Sequence, residues 1–390
     1  MIHFWQDISP FIAVVIGVST AIYASGAIWL ASGLRRIPAG QGETPLVSIV
    51  VAVRDEAENI EFLLDDLQGQ TYPREAYEII IVDDGSRDGT PDRVRLKMGD
   101  GAALKLLETK DIRGETGSKK MALTLGIEAA RGEFILSTDG DCRVKKTWVR
   151  GLINCFDEDT GMVIGFSQIG ERGQARGLRA GWEAVDFLGL MGCAFGSIGR
   201  NHAISASGQN LAYRKAAFAE VGGFERVKHR ASGDDVLLLQ LLRRLTRWRI
   251  VAAPPEVTAT VHPFSPSWRA LFNQRVRWAS NALYLINKAP LFFFYMASAF
   301  TMDILLVLSP FLTITGTMSL LFAGVCWGGK IVAEGIMMWR SGLFFGRLDL
   351  LYSFPFWTLT QPLAIVLLGI GGSWGSFDWK GKKHRLGRRC

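Results

Sequence analysis

Long apolar runs at both ends of the chain bracket a middle section of shorter ones. Residues 11–34 carry no charge, and Arg35-Arg36 follow directly. A helix that crosses a bilayer needs about 20 such residues. No basic residue precedes the run, the reverse of the charge order in a secretory signal peptide, so it reads as a retained anchor. The charge bias sets its start outside and the following residues on the cytoplasmic side. Residues 291–329 form a second apolar stretch, broken only by Asp303 and long enough for two helices with a turn near Ser309-Pro310. Residues 351–377 are uncharged and span once. Between them, Met, Ile and Phe alternate with Lys330, Glu334, Arg340 and Arg347, the pattern of an interfacial or partly inserted helix. The basic tail, residues 380–389, favours the inside and calls for an even number of crossings after the middle section. The clear runs give three, and 330–347 would supply a fourth. Asp303 is either a functional group inside the membrane or a carboxylate solvated at a helix end.

The middle section changes period. Residues 46–53 are a β-branched run without helical spacing, which predicts a buried parallel strand. Further strands are expected at 78–83, 104–107 and 133–137, with helices at 56–67 and 119–130. Strands alternating with helices make a doubly wound α/β sheet, in which ligands bind beyond the carboxyl ends of the strands. The expected organisation is an anchor over 1–43, a globular domain over 44–264, an amphipathic interfacial helix over 265–290, and a membrane region with a basic tail over 291–390.

Composition supports this division. The chain has 390 residues, 48% of them hydrophobic, and a net charge of +7. Positive loops flanking membrane helices account for the basic balance without a nucleic-acid partner. The five cysteines form no C-x-x-C pair and the five histidines no H-x-x-x-H pair, which argues against a zinc site and a disulfide framework.

Four polar clusters interrupt the apolar pattern. Asp83-Asp84-Gly85-Ser86 closes the second strand. Its carboxylates suit the N–H of a pyrimidine or ribose hydroxyls, or one of them caps the next helix. Asp139-Gly140-Asp141 closes the fourth strand. Two carboxylates around a glycine can share Mg²⁺ or Mn²⁺ and face a leaving diphosphate, or form an ordinary Asp-Gly turn. Ser232-Gly233-Asp234-Asp235 opens an apolar helix, as a general base for a hydroxyl or as acidic capping residues. Gln274-Arg275-Val276-Arg277-Trp278 lies on the amphipathic stretch. Its Arg can pair with a diphosphate and its Trp can face a sugar or lipid, or both anchor a surface helix.

In order and spacing these clusters resemble the membrane-bound family 2 glycosyltransferases, a group that includes ceramide glucosyltransferases and cellulose, hyaluronan and poly-N-acetylglucosamine synthases. The segments that carry the resemblance are 47–59, 83–86, 119–123, 139–141, 208–214, Gly222-Gly223-Phe224, 233–238 and 274–278. It implies a GT-A (nucleotide-diphospho-sugar transferase) fold with transmembrane α-helices, a UDP-sugar donor, and Mg²⁺ or Mn²⁺. It assigns Asp83 and Asp84 to the uracil, Glu56 and Lys119 to the nucleotide, and Asp139 and Asp141 to the metal and diphosphate. Asp235 matches the catalytic base with Asp234 beside it. Gln274, Arg277 and Trp278 match the element that holds the diphosphate and lines the acceptor cavity, and Gly208-Gln209-Asn210 a loop beside the sugar. Gly233-Asp234-Asp235 stands where relatives often have Thr-Glu-Asp, and Thr124 where Asn is usual.

The implied reaction is a single inverting displacement onto a lipid hydroxyl at the cytoplasmic face of a bacterial inner (plasma) membrane. Residues 179–199 are unusually apolar, either as a core helix or as a lipid-facing guide for an amphiphilic acceptor. A processive polysaccharide synthase is the alternative, with a glycan acceptor. Its channel would need a polar path, and the C-terminal runs offer few polar residues besides Asp303, Thr313, Thr315 and Thr317. An inactive nucleotide-sugar sensor would be expected to lack a carboxylate cluster, and a transporter to carry polar residues along several spans.

Overall fold

The computed structural model describes residues 2–35, 43–99, 103–113, 118–228, 230, 233–280, 290–374, 376–379 and 382–385. Ser232, the stretch 281–289 and the tail positions 380, 381 and 386–389 lie outside the described residues. The chain divides into two compact units. One comprises Arg35–Glu171 and Ser197–Phe264; the other comprises Met1–Leu34, Arg172–Gly196 and Ser265–Cys390.

The first unit is an α/β domain. Its strands are β1 Val47–Val53, β2 Tyr77–Asp83, β3 Leu104–Glu108, β4 Phe134–Ser137, β5 Arg143–Val144, β6 Thr160–Ile164, β7 Ser167–Ile169, β8 Leu211–Arg214, β9 Arg249–Ala252 and β10 Thr260–His262. The main sheet runs β3-β2-β1-β4-β8-β6-β9. The first four strands are parallel, as continuous apolar runs buried on both faces require. The doubly wound α/β sheet is as expected, and within it β8 runs antiparallel to both β4 and β6. Two layers of helix cover the sheet, and Ile49, Val51, Ile79, Ile81, Leu136 and Trp148 fill its core.

Register aligns the functional edge. Val53 pairs with Asp83 and Val50 with Ser137, so the acidic clusters emerge at the carboxyl ends of the two strands that flank β1. The opposite edge is tied by Glu78, which is fully buried. It accepts from Ser48 Oγ at 2.8 Å, the Arg131 N–H at 2.6 Å and Lys105 Nζ at 2.8 Å. Burial alone would raise its pKa, but these donors hold it at about 2.

The second unit is helical. Among the described residues, four of its segments are long and apolar enough to cross a membrane: Pro10–Ser32, Phe292–Ile314, Leu320–Phe345 and Leu348–Gly372. Three of them follow the α/β unit, and two expectations change. The helix Pro290–Ile314 runs through Pro310 rather than turning there. Proline removes the N–H that would bond Leu306 O, and Ser309 Oγ donates to that carbonyl instead, at 2.7 Å. The turn falls at 315–319, where Ser319 caps the helix Leu320–Phe345. That helix is continuous, so 330–345 is its second half and not a separate interfacial element. Lys330 and Glu334 face inward: Lys330 Nζ donates to Glu334 Oε1 at 2.5 Å, and Tyr23 and Thr358 donate their hydroxyls to the same carboxylate. Asp303 sits in the middle of its helix and is 1% exposed, which rules out solvation at a helix end.

Residues 177–196 of the helix Gly177–Gly199 count with this unit. Most of its apolar side chains are buried, Leu178 and Leu190 are exposed, and Trp182 Nε1 donates to Thr360 Oγ1 at 3.0 Å.

Candidate active site

Three loops build the site in the α/β unit. After β2, Asp83 accepts from the backbone N–H groups of Gly85 and Ser86, each at 3.0 Å, and from the Ser86 hydroxyl. Asp83 therefore shapes the turn. Asp84 is buried, donates its N–H to Val53 O at 2.8 Å, and accepts from Thr109 Oγ1 at 3.2 Å. The loop after β1 is laced to this one: Glu56 N–H donates to Thr90 Oγ1 and Ala57 N–H to Asp88 Oδ2, both at 2.9 Å.

The second loop follows β4. Gly140 lies so close to Glu56 and Val53 that a Cβ on it would meet their side chains at 3.1 and 3.0 Å. Lys119 Nζ donates to Asp139 Oδ1 at 2.7 Å and lies 3.1 Å from Asp234 Oδ2. One ammonium thus joins the cluster after β4 to the cluster that opens the helix Asp234–Leu245. Burial disfavours that charge, but Asp139 and Asp234 outweigh it and raise the Lys119 pKa.

The third loop sets the helix N-terminus. Gly233 has φ +84°, a left-handed conformation that suits glycine and turns the chain into the helix. Asp235 Oδ2 accepts from the Gly208 N–H at 2.7 Å, and its Oδ1 from its neighbour Val236 N–H at 2.7 Å. Two adjacent carboxylates of one sequence motif end up electrically different. Burial and the charge of Asp234 push Asp235 up to about 6. Burial also acts on Asp234, but Lys119 and Lys120 reverse the effect and hold it below the usual range.

The structure thus brings Lys119, Asp139, Asp234, Asp235 and Gly208 together, with Glu56 against Gly140. Gln209 accepts the Thr138 hydroxyl at 2.8 Å through its carbonyl. Asn210 is wholly buried and bonds Trp148, Phe166 and Thr258, so its side chain serves the core. Gln274, Arg277 and Trp278 lie on the helix Trp268–Ala279 of the helical unit.

Sequence reasoning missed His262. Its Nε2 lies 3.1 Å from Asp141 Oδ2, and its Nδ1 is 2.7 Å from Pro263 O. Burial opposes its positive charge, but Asp141 raises its pKa overall. The contact arises because β10 pairs with β5, which directly follows the Asp139–Asp141 loop. No spacing rule links residues so far apart in the chain. Among the described residues no three His, Cys, Asp or Glu side chains are arranged to hold a metal ion. Carboxylate oxygens with one imidazole nitrogen nevertheless suit Mg²⁺ or Mn²⁺, ions that take few protein ligands and complete their shell with phosphate oxygens and water.

Comparison with known proteins gives this arrangement a family. Residues 48–221 match the model of Glycosyl transferase family 2, and the domain belongs to that family. The chain is 36% identical over 105 residues to glycosyltransferase AglE of Haloferax volcanii, covering 27% of this chain and 33% of that one. It is 28% identical over 249 residues to a beta-monoglucosyldiacylglycerol synthase of Nostoc sp., covering 61% of this chain and 49% of that one. The chain thus spans a third to about a half of these relatives' lengths. The mannosyltransferase PcManGT from Pyrobaculum calidifontis, solved with GDP-Man and Mn²⁺, is 20% identical. The match covers 93% of this chain and 98% of that one, with a TM-score of 0.60. The fold is GT-A.

Proposed function

We propose that the protein is an inverting glycosyltransferase that moves a sugar from a UDP-sugar to the hydroxyl of a membrane lipid. The observation that carries this reading is the Asp235 carboxylate. Two N–H groups orient it, each of its oxygens keeps a second lone pair, and its pKa near 6 leaves it ionised at neutral pH yet basic enough to accept a proton. Asp235 takes the proton of the acceptor hydroxyl as that oxygen attacks the anomeric carbon. The bond from that carbon to the diphosphate oxygen breaks, and UDP leaves with the electron pair. A single displacement inverts the configuration.

Asp84 binds the base, in a turn shaped by Asp83, with Glu56 nearby. Lys119 supplies a fixed positive charge beside the diphosphate and keeps Asp234 ionised. Asp139 and Asp141, with His262 beside them, would hold Mg²⁺ or Mn²⁺, which when bound offsets the charge developing on the diphosphate. Gln274, Arg277 and Trp278 take the diphosphate and acceptor roles that the resemblance gives them. The lipid acceptor is supported by the four apolar helices and by the name of the Nostoc relative. The same helices support a multi-pass protein of a bacterial inner membrane, with the α/β unit on the cytoplasmic side.

The test is to incubate purified protein with Mn²⁺, a panel of UDP-sugars and a total lipid extract. A new glycolipid, identified by mass, is expected. A polymer would favour a processive synthase, and no consumption of any donor would remove the assignment.

A further inference from the structure

We propose that Arg275, the arginine of the Gln274–Trp278 segment to which the motif gives no role, positions that segment through Asp186 and Trp357. The inference rests on the transferase reading above. The Arg275 side chain is 6% exposed. Its Nε donates to Asp186 Oδ2 at 3.0 Å, and its Nη2 lies 2.9 Å from the same oxygen. The other oxygen of Asp186 accepts from Trp357 Nε1 at 3.1 Å. The carboxylate is therefore clamped between two helices, and a buried guanidinium of this kind has a fixed partner.

From that anchor Arg275 reaches the two residues on either side of it in the motif. Nη1 donates to Gln274 Oε1 at 3.2 Å. The guanidinium carbon lies 4.3 Å from the ring centroid of Trp278, one helical turn on, and Phe187 braces that ring at 6.0 Å. Accepting through Oε1 commits Gln274 to present its NH₂ group to a ligand, as a donor to a phosphate or sugar oxygen. Stacking on the guanidinium fixes the plane of the indole. Lysine would keep the charge but lose the planar fork that makes both contacts at once.

The test compares full-length wild type with Arg275→Lys and Asp186→Asn, titrated with UDP or uridine in the presence of Mn²⁺, alongside thermal unfolding. Both variants are expected to bind UDP about tenfold more weakly, as a misplaced polar contact would. They are expected to bind uridine as the wild type does and to keep its Tm within a few degrees. The double variant should be no weaker than either single one, because both act through one contact. Wild-type UDP affinity in both variants, or equal losses for UDP and uridine, would overturn the proposal. A wild type that binds no UDP would instead overturn the transferase reading on which it rests.

Discussion

Lys119 reaches from the start of its helix to Asp139 Oδ1 at 2.7 Å, and its ammonium also lies 3.1 Å from Asp234. A single positive charge therefore bridges the acidic loops on either side. Lys119→Met should lower turnover by about a hundredfold, the size of losing one preorganised charge. It should also move the acid limb of the pH–rate profile upward, because Lys119 lowers the pKa of Asp235. Lys119→Arg should keep most of the wild-type profile. Steady-state rates over a pH series check both statements, and an unshifted limb in Lys119→Met would contradict them.

The profile of the wild type follows from the same pair. Asp235 must be ionised to accept a proton, and burial with Asp234 places its pKa at about 6. Acceptor kcat/KM should be level above about pH 7 and fall close to tenfold per pH unit below about 6. A rate that stays level down to pH 5 would exclude Asp235 as the titrating base.

Much of this site could be read from the sequence because parallel strands buried on both faces leave an uninterrupted apolar signature. Residues 47–53, 77–83 and 134–137 are such runs, and Asp83 ends the second while Asp139 lies just beyond the third. What could not be read depended on tertiary pairing. The antiparallel β8 is four residues long and no run marks its direction. The Asp141–His262 contact exists because β10 lies beside β5. The helix through Pro310 depended on a serine hydroxyl replacing a missing N–H, which composition does not reveal.

That contact yields a prediction about metal. His262→Ala should raise the Mn²⁺ concentration for half-maximal activity by about 10–100-fold, as loss of a ligand or of its orienting partner does. EDTA should abolish turnover in the wild type. Activity that survives exhaustive chelation would remove the divalent ion from the account.

The helical unit has its own test in Lys330 and Glu334, both almost wholly buried. Lys330→Met leaves a buried carboxylate without its charged partner and should cost about 3–5 kcal/mol. Replacing both, as Lys330→Met with Glu334→Gln, should recover part of that loss. Thermal unfolding in detergent measures the difference. A double variant less stable than Lys330→Met would show that the pair is not the dominant interaction there.

The role of Asp235 as the base is decided by Asp235→Asn, with sugar transfer and Mn²⁺–UDP binding measured on the same preparation. Transfer should fall by about a thousandfold or more, with UDP affinity within a few-fold of the wild type. Transfer at the wild-type rate in that variant would contradict that role.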